Sequence, residues 1–170
     1  MNVIPTAIEG VLILEPRVFG DDRGYFFESF SAASFREQVC STDFVQDNES
    51  FSRYGVVRGS VLDIAVDIRR GSKTFGQHVA VELNERNHHQ LFIPRGFAHG
   101  FSVLSPEVIF QYKCDNYYAP DSEGAIAWDD PELAIDWRIP ADHVILSEKD
   151  KHHPRLSEAK LLFDIKDRLY

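Results

Sequence analysis

The chain has 170 residues, 44% of them hydrophobic, and a formal charge of −9, which is enough apolar material for one substantial core and too little for two, so a single domain over 1–170 is expected. The acidic balance and the lack of any Lys/Arg cluster exclude nucleic acid as a partner, because a phosphate backbone is held by grouped cations. No apolar run reaches the roughly eighteen residues of a membrane helix, and Met1-Asn2-Val3-Ile4-Pro5 lacks the basic, apolar and small-residue order of a signal peptide, so a membrane span is excluded and a cytoplasmic location expected.

Thirteen Phe, six Tyr and two Trp favour strands over a helix bundle. Residues 11–14 (VLIL), followed by Arg17-Val18, predict a strand, Gly20-Asp21-Asp22 a turn, and residues 24–30 (GYFFESF) its return. Arg23 and Glu28 lie on this unit. Five positions apart, they fall on opposite faces of a straight strand, so both reach one pocket only if Arg23 sits in the turn. The simpler reading of an Arg beside two Asp is a solvated ion pair. Residues 31–40 (SAASFREQVC) carry a Ser N-cap and apolar Phe35 and Val39 at helical spacing, which predicts a short helix. Residues 44–52 (FVQDNESFS) alternate again, with Gln46 and Asn48 on the face of Phe44, and Asp47 on the face of Val45. So many polar residues in a strand suit either an exposed edge or a grip on sugar hydroxyls or a base edge.

Residues 56–68 (VVRGSVLDIAVDI) have strand composition throughout, interrupted only at Gly59-Ser60. The run is longer than the usual strand of about five or six residues, and Asp63 and Asp67 mark one of its faces. Residues 75–83 (FGQHVAVEL) predict a further strand. His88 and His89 are adjacent and so point to opposite faces, which does not suit a shared metal. Cys40 and Cys114 have no CxxC neighbour and read as reduced thiols, neither a disulfide nor a metal site.

Residues 91–118, LFIPRGFAHGFSVLSPEVIFQYKCDNYY, alternate on both sides of Ser105-Pro106 and read as a hairpin. With an even loop the facing pairs are Val103 with Val108, Phe101 with Phe110, His99 with Tyr112, and Phe97 with Cys114. One face is then apolar except for an imidazole and a phenol side by side, and the other carries Ala98, Gly100, Ser102, Gln111 and Lys113. Two readings stay open: a polar pair satisfied inside the core, or a ligand pocket in a β-barrel that holds a proton donor and acceptor. Further on, residues 125–129 and 133–137 are extended segments around Asp130-Pro131, and residues 147–150 (SEKD) form a polar loop. Leu162, Ile165 and Leu169 at helical spacing predict a C-terminal helix.

Many short strands and few helices make the chain all-β: a cupin-like jelly-roll barrel with a short helix in the N-terminal half and another at the C-terminus. Pro94-Arg95-Gly96-Phe97-Ala98-His99 resembles one half of the cupin pattern. The metal-binding half, with paired His and a following Glu, has no match, so neither a metal nor a cofactor is expected.

EPRVFGDDRGYFFESF, FVQDN, VVRG, DIAVDIRRGSKTFG, IPRGFAHGF, YKCDNYYAP, WDDPELAIDW and LSEKD follow one another in this order. In these stretches, over almost its full length, the chain resembles the dTDP-4-dehydrorhamnose 3,5-epimerases of dTDP-L-rhamnose synthesis. The resemblance implies a dimeric, metal-free jelly-roll enzyme acting on a dTDP-4-dehydro-6-deoxy-hexose. Position by position, it assigns the phenolic acid to Tyr112, the carboxylate that orients the base to Asp150, and a pocket histidine that assists binding to His99. It assigns nucleotide binding to Arg23, Glu28, Gln46, Asp47, Asn48, Arg58, Glu123 and Lys149, and stacking on thymine to Tyr118. A C4 ketone acidifies the protons on C3 and C5, so such a site needs a base, an acid on the opposite face and donors for the enolate oxygen.

In one place the chain departs from this pattern. After the stretch matching Val56-Val57-Arg58-Gly59 the family continues with Leu-His, an aromatic-Gln pair, a loop and a Lys-led strand. Here Ser60 follows at once, which removes on the order of twenty residues. The family's base histidine and a substrate-binding lysine lie in that segment. The expectation is then an epimerase with Asp150 deprived of its histidine and His99 without an assigned carboxylate, or else a catalytically impaired sugar-nucleotide-binding jelly roll.

Overall fold

The computed structural model describes residues 1–53, 59–160 and 163–169. Its strands are β1 (Asn2–Pro5), β2 (Leu12–Glu15), β3 (Val18–Asp21), β4 (Gly24–Phe27), β5 (Gln46–Arg53), β6 (Ser60–Asp67), β7 (Arg69–Arg70), β8 (His78–Asn84), β9 (Gln90–Phe92), β10 (Phe97–Val103), β11 (Glu107–Cys114) and β12 (Phe163–Asp164). The α-helix among the described residues is α1 (Ala32–Gln38). It forms where expected: Ser31 accepts a hydrogen bond from the Ser34 amide, and the Val39 amide closes the last turn on Phe35.

The organising strand is β6, pairing with β10 on one side and β8 on the other, both antiparallel. Its alternation sorts two cores. Leu62, Ile64, Val66 and Ile68 pack under the C-terminal segment through Leu133, Leu156, Ile126, Ile135 and Trp137. Ala65 faces the other way, against Ile8 and Val11, and Val61 lies with Val108 and Phe110. A strand covered on both sides shows no polar alternation, which is why its sequence is nearly continuous in apolar residues. The strand begins at Ser60, so the long run expected from residue 56 is shorter at its start: Gly59 lies outside β6, and Val56, Val57 and Arg58 lie outside the described residues.

The expected hairpin of residues 91–118 does not form as an edge-to-edge pair. β10 is hydrogen-bonded to β6, and β11 to β5 in a separate two-stranded sheet. The connection through Ser105 leads from one sheet to the other, with Ser105 Oγ accepting from the Ser60 amide at 2.8 Å. Alternation along a strand is a local property, the same whether the next strand lies beside it or opposite it, so the inward faces survive although the pairing differs.

The C-terminal helix is also replaced. Leu156–Glu158 is a single 3-10 turn, and β12 pairs parallel with β7, Phe163 against Arg69. Asp167 Oδ2 accepts from the Asp164 amide at 2.8 Å, and Asp164 Oδ1 from the Lys166 amide at 2.9 Å. Such local side-chain bonds favour turns over helix, and Leu162 lies outside the described residues. No helix among the described residues is long and apolar enough to cross a membrane.

Candidate active site

The inward face of β11 carries Val108, Phe110, Tyr112 and Cys114, opposite Ser52, Ser50, Asn48 and Gln46 of β5. Polar groups concentrate at one end of this face. Gln46 Nε2 donates to Asn48 Oδ1 at 2.8 Å, and Asn48 Nδ2 lies 3.5 Å from Cys114 Sγ. Ser50 Oγ is buried without a hydrogen-bond partner among the described residues. Across the interior, β10 presents Phe101 and His99. Phe101 stacks on Phe110 with ring centroids 4.6 Å apart, and the His99 ring lies 6.4 Å from Phe110. The Tyr112 ring lies 6.0 Å from Phe110. Imidazole and phenol thus flank one aromatic ring from two different sheets, where the sequence suggested neighbours in one hairpin.

The opposite faces are occupied as alternation requires. Gly100 lies under Trp137, where an added Cβ would come within 3.2 Å of the indole, and Ser102 Oγ donates to the Trp137 carbonyl at 2.8 Å. Gln111 donates to Glu49, and Lys113 to Asp47 at 2.7 Å, on the outer side of β11 and β5. Asp47 therefore points away from Gln46, Asn48 and Tyr112.

The expectation that His99 lacks a carboxylate is corrected by the geometry. Its Nε2 lies 2.5 Å from Oδ1 of Asp63, whose side chain is only 4% exposed against 38% for His99. The two residues are thirty-six positions apart and meet because β6 pairs with β10, with Phe101 opposite Asp63 and His99 one inward position further on. Sequence reasoning noted Asp63 only as a mark on one face of a strand. The available signal was a carboxylate at an inward position of a largely apolar strand, which demands a partner.

Asp67, two inward positions along, serves the frame. It is fully buried and accepts from the Arg69 amide, Nε and Nη2, from Ser72 Oγ and from Thr74 Oγ1. Burial pushes its carboxyl up, but the bonds from Arg69, Ser72 and Thr74 outweigh this and hold it far below the usual carboxylate range.

A second constellation collects Tyr118, Glu123 and Lys149. Glu123 pairs with Lys149, and bonds from Lys149 and then Tyr118 lower its carboxyl, while the same pairing raises the lysine. Asp150 follows directly. Its carboxyl is lowered first by Ser147, which donates at 2.7 Å, and then by His153, whose Nε2 lies at 3.2 Å. Asp150 is thus paired with a histidine of its own loop. Among the described residues no hydrogen bond or ion pair joins this constellation to His99 or Tyr112. Arg23 stands at the tip of the β3–β4 hairpin, 89% exposed and bonded to Asp21, and Glu28 is exposed just beyond β4. The turn is Asp22-Arg23, and Gly20 and Asp21, expected in it, belong to β3. Arg58 lies outside the described residues. No group of three or more His, Cys, Asp or Glu among the described residues is placed to hold a metal ion.

A sequence model of dTDP-4-dehydrorhamnose 3,5-epimerase matches residues 5–158. The dTDP-4-dehydrorhamnose 3,5-epimerase of Escherichia coli is 48% identical over 178 positions, covering 93% of this chain and 96% of its own. That of Salmonella typhimurium is 47% identical over 184 positions, covering 95% and 98%. Both alignments run longer than the 170-residue chain, so these relatives hold positions that have no counterpart here. Among solved structures, dTDP-6-deoxy-D-glucose-3,5-epimerase from Legionella pneumophila, in complex with dTDP-4-keto-L-rhamnose, superposes with a TM-score of 0.92 at 43% identity, over 98% of this chain and 99% of that one. The Bacillus anthracis enzyme with TDP and pyrophosphate bound gives 0.84 at 38% identity, over 91% and 98%. Sequence and fold agree along nearly the whole length, and the chain belongs to the dTDP-4-dehydrorhamnose 3,5-epimerase family.

Proposed function

We propose that this chain epimerises C3 and C5 of dTDP-4-dehydro-6-deoxy-D-glucose through an enolate, as one domain whose two facing sheets are the walls of a jelly-roll barrel. The observation that carries the reading is that His99 and Tyr112 come from two different sheets and both lie beside Phe110. Inversion at carbon needs a proton removed from one face and returned to the other, so an acceptor and a donor must approach the sugar from two sides. Tyr112 supplies the proton to the enolate carbon. Gln46 and Asn48, on the face of Tyr112, offer the neutral donors and acceptors that sugar hydroxyls require. Tyr118, 69% exposed beside Glu123 and Lys149, presents an aromatic plane to thymine and a cation to the diphosphate.

Arg23 and Glu28 sit on a hairpin whose Phe19, Tyr25 and Phe26 are all exposed, Phe26 to 70%. Phe19 and Phe26 are directly opposite in the register and so share one face of the hairpin, and we assign the cover of that apolar face to a second copy of the chain, giving a cytoplasmic homodimer in which the hairpin brings its charged residues to a neighbouring pocket. The test is proton NMR of the substrate with the protein in heavy water. The C3 and C5 proton signals disappear as deuterium enters. Binding of dTDP without loss of either signal would leave a sugar-nucleotide-binding jelly roll with no epimerase activity.

A further inference from the structure

We propose that His99, oriented by Asp63, is the base that removes the proton from the carbon beside the ketone in this chain, with Asp63 as its positioning residue. The inference rests on the epimerase reading above and names the group that reading leaves open. A carboxylate buried on a central strand is costly unless it is paired. The partner that Asp63 has among the described residues is the His99 ring at 2.5 Å. Asp67 on the same strand shows the contrasting case, its oxygens taken up by Arg69, Ser72 and Thr74 in a closed structural turn. Asp63 instead directs its hydrogen bond to a ring that remains accessible from the interior, beside Phe101 and Phe110.

The pairing also fixes the tautomer. A carboxylate only accepts, so Nε2 of His99 donates to Asp63 and the lone pair is left on Nδ1. In the reaction Nδ1 takes the proton from C3 or C5. The electron pair of that C–H bond becomes the C=C bond of the enolate, and the carbonyl electrons move onto the C4 oxygen. Tyr112 O–H then protonates the same carbon from the opposite face as the ketone re-forms, and solvent carries the proton from imidazolium back to phenolate. No oxidant or reductant enters.

Among the described residues Asp150 also pairs with His153, at 3.2 Å, and Asp142 lies 3.9 Å from His143, both in the C-terminal segment. No described contact links Asp150 and His153 to the Tyr112 face, whereas His99 reaches that face through Phe110.

The experiment measures deuterium incorporation from heavy water into dTDP-4-dehydro-6-deoxy-D-glucose by the full chain and its variants. His99→Ala is expected to slow exchange by about 10²–10⁴-fold, the usual contribution of a positioned base, with dTDP still bound by the folded protein, a lower melting temperature because Asp63 loses its partner, and partial rescue of exchange by added imidazole. Asp63→Asn is expected to lower kcat with KM nearly unchanged and to move the ring-nitrogen NMR shifts of His99 toward the other tautomer. Asp63→Glu recovers part of the rate. Exchange by His99→Ala within about threefold of the parent chain, or loss of exchange in His153→Ala but not in His99→Ala, overturns the assignment while leaving the epimerase reading intact. A parent chain that binds dTDP but exchanges neither carbon overturns both.

Discussion

Replacing Asp67 by Asn tests whether the strand that carries Asp63 is held by a buried charge. The carboxylate accepts from Arg69 Nε at 2.9 Å and Nη2 at 2.8 Å, and from Ser72 and Thr74 hydroxyls at 2.6 Å each, with its side chain wholly out of solvent. Removing one member of a buried ion pair costs about 3–5 kcal/mol. Asn keeps one acceptor oxygen and offers its amide to the two hydroxyls, so a loss of about 3 kcal/mol is expected at pH 7, a large part of the 5–15 kcal/mol typical of a folded domain. The pH dependence follows from the direction of the shift. A carboxyl depressed in the folded state contributes stability that is complete above its unfolded value of about 3.9 and is lost as pH falls toward the folded value. By pH 3 the parent chain has lost on the order of 1 kcal/mol of this contribution, because only the unfolded chain takes up the proton. Urea denaturation of the parent and Asp67→Asn at both pH values measures the gap directly. A gap under about 1 kcal/mol at pH 7, or one that does not narrow at pH 3, would show that the buried Asp67 charge does not hold the strand.

Further outcomes can be checked on the same protein. Gly96 has φ +90 and a Cβ there would fall 2.8 Å from Arg69 Cγ and 2.9 Å from Leu169 Cδ1, so Gly96→Ala should cost at least about 1–3 kcal/mol through strain and lower the melting temperature. Phe26→Asp places a charge on the exposed hairpin and should shift sedimentation from dimer to monomer with little change in the stability of each copy. Tyr118→Ala should weaken dTDP binding in calorimetry by about 1–3 kcal/mol, the contribution of one base stacked on an aromatic ring.

The parts of the fold that were legible in the sequence are those set by local chemistry. The Ser31 cap, the Phe35–Val39 spacing and the outward Asp47 beside inward Gln46 and Asn48 all follow from periodicity and capping. Pairing was not legible. β10 and β11 alternate as a hairpin would, yet each bonds to a strand far away in sequence, β6 and β5. The same limit hid the Asp63–His99 contact, since nothing local says that β6 and β10 are neighbours. At the C-terminus, three apolar residues at helical spacing were outweighed by Asp164 and Asp167 bonding to nearby amides. Tyr118, Glu123, Lys149 and Asp150 read as ordinary surface by composition. Resemblance named them, and three of them meet in one ion-paired cluster while Asp150 takes its own partner, His153.

In the proposed reaction a proton leaves one face of the sugar and returns to the other, with His99 and Tyr112 coming from two different sheets. This is tested most directly by comparing deuterium exchange with formation of the inverted sugar in Tyr112→Phe. This variant keeps the His99–Asp63 pair and the ring beside Phe110 but has no phenolic proton to give. Deuterium is expected still to enter C3 or C5 with retention, while the inverted product forms about 10²–10⁴-fold more slowly. Inverted product at the rate of the parent chain would contradict this.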